Sequence, residues 1–121
     1  MAGTQQINHK GRNIFYMNFS NLKNIQEING VINDSIKFIR VKPLTSLYCL
    51  TNISGMHFNS EIKDLFQNFV NGNKPFVKAS AVVGLSPLQQ IMYNGLMKIT
   101  GRDIKSFSNI DEAKDWLVGR N

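Results

Sequence analysis

The chain has 121 residues, 42% hydrophobic and 18% charged, and Lys and Arg outnumber Asp and Glu by 14 to 8 for a formal charge of +6. That is apolar material for the core of a single domain, residues 1–121, and it excludes intrinsic disorder. No apolar run approaches the roughly 18 to 20 residues of a membrane span, and residues 1–6 are polar, without the layout of a secretory signal; the lone Cys49 forms no internal disulfide, so a cytoplasmic setting is expected.

Residues 5–9 and 13–19 are β-compatible and flank Lys10-Gly11, where glycine admits positive φ, so an opening hairpin is expected. In its second strand Phe15, Met17 and Phe19 share one face, Ile14 and Tyr16 the other. Ser20 then caps a helix with the stripe Leu22, Ile25, Ile28, Ile32, Ile36 and Ile39; Pro43 marks its exit. Residues 46–51 are nearly all apolar and read as a central strand covered on both faces, with residues 52–58 the loop leaving it. Asn59 or Ser60 opens a second helix that buries Ile62, Leu65, Phe66, Phe69 and Val70, and Gly72 suits a left-handed cap before Pro75.

Residues 76–83 form the next strand. Ser86-Pro87-Leu88-Gln89 is a capping box with proline at the first helical position, and Leu88, Ile91, Met92, Leu96 and Ile99 line the helix it opens, which Gly101 ends. Residues 105–108 make a short last strand. Asn109-Ile110-Asp111-Glu112 opens a final helix that buries Ala113, Trp116 and Leu117, with Trp116 as a core anchor. Strands separated by helices need crossovers, so the order predicts an α/β fold: a mostly parallel sheet with an N-terminal β-hairpin and about four flanking helices.

Chemistry-bearing patterns are sparse. Neither the dinucleotide nor the P-loop glycine pattern occurs, and Gly84-Leu85-Ser86-Pro87, where amides could greet an anion, reads as an ordinary tight turn. His9, His57 and Cys49 lack zinc spacing, so no metal or other cofactor is expected, and Cys49 reads as a small core residue. Asp111, Glu112 and Asp115 lie at a helix start, where acids are stabilising. With no elbow motif and no obvious base, no catalytic residue is assigned and the chain reads as non-enzymatic. A response-regulator receiver is disfavoured, because the central strand ends in Thr51-Asn52 rather than an aspartate and no acidic pair is present to hold Mg²⁺. The positive residues scatter into His9-Lys10-Arg12, Lys37/Arg40/Lys42 and Lys98/Arg102/Lys105 without a nucleic-acid-binding motif, which favours solvated helix ends.

Two segments carry a resemblance: the strand, turn and helix of residues 76–98, centred on Ala81-Val82-Val83-Gly84, and the ending Phe107-Ser108-Asn109-Ile110-Asp111-Glu112-Ala113-Lys114-Asp115-Trp116-Leu117. Both resemble the SpoIIAA-like group of the STAS superfamily, also described as STAS/SEC14-like. The resemblance implies a SpoIIAA-like fold and a regulatory domain that acts on a protein partner. In members that oppose anti-sigma factors, a serine before glycine in an Asp-Ser-Ser-Gly or Asp-Ser-Thr-Gly loop is phosphorylated. Here Ser54 precedes Gly55, while Asn52 stands for the aspartate and Ile53 for the first hydroxyl residue. The implied docking and phosphoacceptor loop is Thr51, Asn52, Ser54, Gly55 and His57; a phosphate there adds about −1.5 to −2 charges near a helix N-terminus. Kinship with SEC14-like domains implies an alternative, a carrier of a small apolar or lipid-like ligand, for which Ala79, Ser80 and Ala81 leave room between sheet and helix. The second alternative is nucleic-acid binding through the basic surface. Partner, pathway and oligomeric state are left open.

Overall fold

Lys10 and Gly11 adopt positive φ of 51° and 84° and turn strand β1 (Gly3–His9) back on β2 (Arg12–Asn18), as a two-residue hairpin loop requires. The computed structural model describes residues 3–120, so the Met1 and Ala2 of the polar opening lie outside the described residues. After the hairpin come α1 (Ile25–Ile39), β3 (Leu47–Asn52), α2 (Ser60–Asn73), a 3₁₀ turn (Lys74–Phe76), β4 (Val77–Val83), α3 (Pro87–Thr100), β5 (Ile104–Phe107) and α4 (Ile110–Val118).

The five strands lie in sequential order β1-β2-β3-β4-β5, antiparallel between β1 and β2 and parallel thereafter. Sequential order has a direct consequence for the helices. Each crossover steps the same way along the sheet, and crossovers of one hand that step the same way place their helices on one face. The core follows that arrangement. Phe15, Met17, Phe19, Cys49 and Val82 meet Ile28, Ile32 and Ile39 of α1 and Ile62, Phe66 and Phe69 of α2. On the opposite face Ile14, Tyr48, Leu50, Ala81 and Val83 meet Ala113 and Leu117 of α4, which follows the last strand and closes that side alone. The alternation expected along β2 is therefore the division between the two cores. Ring contacts tie the first core together, with Phe15 stacked on Phe38 at 4.3 Å and Phe19 edge-on to Phe66 at 5.0 Å.

Several expectations need correction. Asn24, not Ser20, caps α1 by accepting the Glu27 amide at 2.9 Å, and Leu22 is buried in the preceding loop rather than on the helix. Gly72 is not a left-handed cap, because α2 runs on to Asn73. Its missing Cβ instead admits Arg40, whose Nη2 lies 2.2 Å from where a Cβ would stand. Strand β5 begins at Ile104 and ends at Phe107, one residue earlier than expected. Trp116 is only half-buried: it tilts against Phe107 at 5.6 Å beneath the Arg120 guanidinium, while Ala113 and Leu117 are the fully enclosed residues of α4.

The basic clusters are dispersed into separate contacts. His9 Nε2 and Lys10 Nζ lie 2.8 and 2.9 Å from Asp115, and these hydrogen bonds hold its carboxyl below the usual range. Arg12 donates to the Tyr48 hydroxyl and sits over that ring. No basic residue occupies the last turn of α2, and Arg40 and Arg102 supply the cations instead, donating to the carbonyls of Phe69 and Val70.

Candidate functional site

The parallel strands β2, β3 and β4 all end at one edge of the sheet, and the loops that leave them meet there. Asn52, the last residue of β3, is buried, and both ends of its amide are used: Nδ2 donates to the Tyr16 hydroxyl at 2.9 Å and Oδ1 accepts the Ser54 amide at 3.0 Å. The second bond is an Asx turn that bends the chain sharply out of the sheet. The Ser54 carbonyl then accepts the Asn21 amide at 2.8 Å, and His57 donates its amide to the Leu22 carbonyl at 2.9 Å, tying this loop to the one after β2. On its other side Ser54 lies against Gly84. A Cβ at Gly84 would stand 2.2 Å from Ser54 Oγ and 2.5 Å from its backbone nitrogen, and Gly84 holds φ at +89°, so this close approach requires glycine.

Of the five residues implied for docking, Ser54, Gly55 and His57 are exposed, Thr51 is half-buried and Asn52 is buried. The helix N-terminus beside Ser54 is that of α3, since Ser54 lies against Gly84, three residues before Pro87. Residues 55–59 separate Ser54 from α2, and the Ile62 amide of its first turn is already taken by Asn59 Oδ1 at 2.9 Å. The β4–α3 turn offers no free anion site either, since Ser86 and Gln89 satisfy each other's amides in the expected capping box. Among the described residues no group of three His, Cys, Asp or Glu side chains gathers to hold a metal, and no helix is long and apolar enough to cross a membrane.

Helix α3 departs most from its sequence reading. Leu88, Ile91 and Ile99, expected in the core, are 68%, 70% and 65% exposed, and the buried positions are Gln89, Leu96 and Thr100. At 3.6 residues per turn, the buried face is rotated about 100° from the apolar stripe. The polar inward residues are satisfied locally: Gln89 Nε2 donates to the Met56 carbonyl at 3.3 Å and Thr100 Oγ1 to the Leu96 carbonyl at 2.8 Å. The spacing Gln89, Tyr93, Leu96, Thr100 is a readable helical face, but its polarity masks it beside the stronger apolar row. Gly95 lies on the exposed row, with nothing within 4 Å of where a Cβ would stand. Through Gln89 and Gly84, α3 adjoins the Ser54 loop.

Beneath that loop, between the sheet, α2 and α3, lies an apolar cavity of about 50 Å³. Ile53, Met56 and Phe58 of the loop line it, together with Cys49 of β3 and Arg102. Burial pushes the Cys49 thiol up to about 12, against the opposing field of Arg102. Burial likewise raises the Tyr93 hydroxyl and lowers the Arg102 guanidinium from their ordinary values. The expected room at Ala79, Ser80 and Ala81 is divided between two faces: Ala79 and Ala81 pack in the α4 core, and only Ser80 borders the cavity.

No protein-family model matches the chain, and no curated protein matches it. Among solved structures it is similar to a protein of the DUF3478 family from Shewanella loihica PV-4, described as uncharacterised and as having a SpoIIAA-like fold. The two share 18% identity, with a TM-score of 0.61 over 97% of this chain and 95% of that one. The fold is SpoIIAA-like.

Proposed function

We propose that this chain is a non-enzymatic, cytoplasmic interaction domain that receives an acidic amphipathic helix of another protein on the outer face of α3 and the adjoining Ser54 loop. One observation carries this reading. Leu88, Ile91 and Ile99 form a single exposed stripe on a helix whose other face is already committed. Scattered apolar side chains on a surface are ordinary, but an aligned row of them is the signature of a docking site. Each would contribute roughly 1–2 kcal/mol on burial. Gly95, in the middle of the row, allows a second helix to approach closely.

Charge selects the occupant. Lys98 is the only ionisable acid or base on α3 outside its tyrosine, and the chain carries +6 overall. That balance attracts an acidic helix and opposes a second copy of the same surface. Ser54 supplies a place for regulation. It is exposed, it presses on Gly84 at the entrance to α3, and Lys23 Nζ reaches the neighbouring Gly55 carbonyl. A phosphate there would recruit Lys23 and displace the turn that positions α3.

A photo-crosslinking residue placed at position 98 tests the reading in extract of the native host, with and without Ile91→Asp. The expected result is a crosslinked partner whose joined segment is an acidic amphipathic helix, lost in the variant. The same crosslinks from both baits, or a link between two copies of this chain, would overturn it.

A further inference from the structure

The two edges of the sheet are built differently. At one end β5 has only four residues, carries the exposed Lys105 and is covered by α3: the Tyr93 hydroxyl donates to the Ile104 carbonyl at 3.3 Å, and the Ile104 amide donates to Met97 Sδ at 3.4 Å. Short strands, charges and covering elements keep a sheet edge from pairing with another chain. At the other end β1 has seven residues, holds no proline, lysine, arginine, aspartate or glutamate, and pairs with β2 over its whole length without a bulge. Thr4, Gln5, Gln6 and Asn8 are exposed, and among the described residues no backbone hydrogen bond from any element other than β2 reaches residues 3–9. We infer that β1 is the interface of a homodimer, in which β1 of a second copy pairs antiparallel with it across a two-fold axis at Gln6.

The hairpin sets which backbone groups are offered. Lys10 and Gly11, at φ 51° and 84°, make a type I′ turn, whose flanking pair His9 and Arg12 exchanges both hydrogen bonds. Bonded and non-bonded pairs alternate along an antiparallel ladder. Gly3, Gln5, Ile7 and His9 therefore turn their amides and carbonyls to β2, and Thr4, Gln6 and Asn8 turn theirs outward. These three positions are symmetric about Gln6. A two-fold axis there sets Gln6 against Gln6 and Thr4 of each copy against Asn8 of the other. Every outward amide then meets an outward carbonyl, and the two five-stranded sheets become one.

Side chains choose the occupant. Thr4, Gln6 and Asn8 share one face of the strand, and hydroxyls and amides both donate and accept, so two identical edges complement each other where two charged ones would repel. The chain's charge of +6 opposes self-association in general, but the basic residues at the hairpin end, His9 and Lys10, are held on Asp115 at 2.8 and 2.9 Å. Helix α3 joins β4 to β5 at the far end of the sheet, so its apolar row stays accessible in the dimer and the two surfaces act independently.

Sedimentation velocity of the untagged chain over a rising concentration series is expected to show monomer passing to dimer. Gln6→Pro removes an outward amide at an edge position where proline is tolerated, and should weaken the dimer about tenfold or more while the circular dichroism of the monomer is unchanged. Charge exchange keeps the test decisive should that variant misfold. Gln6→Lys and Gln6→Glu should each weaken self-association, because like charges then face each other at the axis, and an equimolar mixture of the two should restore dimers. Amide hydrogen exchange reads the register: Thr4, Gln6 and Asn8 should gain protection as concentration rises, while Gln5 and Ile7 are protected throughout. A monomer at every concentration, a dimer undiminished by a folded Gln6→Pro, no restoration on mixing, or concentration-dependent protection confined to other segments would overturn the inference.

Discussion

Replacing Gly84 by alanine tests the packing that joins the Ser54 loop to α3. Two costs add. At φ +89° an L-residue is strained, by about 1–2 kcal/mol. The new Cβ would also stand 2.5 Å from the Ser54 nitrogen and 2.7 Å from its Cα, backbone atoms that cannot swing aside like a flexible side chain. Relieving that overlap by shifting the loop costs about 1–3 kcal/mol more. The total is about 2–5 kcal/mol, and at roughly 4 °C per kcal/mol for a domain of this size the midpoint should fall by about 8–20 °C. Urea unfolding followed by circular dichroism supplies the free energy. Gly30→Ala in α1 is the control: nothing lies within 4 Å of its added Cβ, so it should gain about 0.5–1 kcal/mol of stability. If Gly84→Ala unfolds within 0.5 kcal/mol of the unaltered chain, the close approach described at this turn is wrong.

Leu117 is fully enclosed beneath the sheet, so Leu117→Ala should cost about 3–4 kcal/mol in the same assay. Ile91→Asp, on the exposed row, should change stability by no more than about 0.5 kcal/mol, and a larger loss would mean that the row is not solvent-facing. Asn52→Asp replaces an amide that donates to Tyr16 with a buried carboxylate, and should cost about 2–3 kcal/mol at neutral pH. Because the protonated acid regains a donor, that deficit should shrink as the pH is lowered. Cys49 stays protonated in the fold up to about 12 but ionises near its ordinary 9.0 once unfolded, so the unfolded chain binds fewer protons in between. Its contribution to stability is therefore complete below 9.0 and is lost as the pH rises toward about 12. Cys49→Ala should remove that part of the alkaline slope in thermal melts, and an unchanged slope would contradict it.

The candidate site was only partly legible. Ser54 and Gly55 stand at a strand exit whose exposure follows from the loop that must leave a buried central strand, and the sequence reading located them there. Asn52 was read as a degraded phosphorylation motif, whereas its amide forms a local Asx turn to Ser54 and is fixed by a bond to Tyr16, 36 residues away, that no local pattern announces. The cavity cations Lys63 and Arg102 lie far apart along the chain, and only the packing of α2 beside α3 unites them.

Local chemistry alone determined the hairpin at Lys10-Gly11, the capping box at Ser86, the strand and helix order, and hence the mostly parallel sheet. Each of these depends on residues within a few positions of one another. Tertiary structure decided which side of α3 faces inward. A single helix prefers to bury its most apolar face, but α3 must also place Gln89 on the Met56 carbonyl and Tyr93 on that of Ile104. Those long-range bonds satisfy buried carbonyls of the loop and the edge strand, which helical periodicity cannot register, and they leave Leu88, Ile91 and Ile99 facing water.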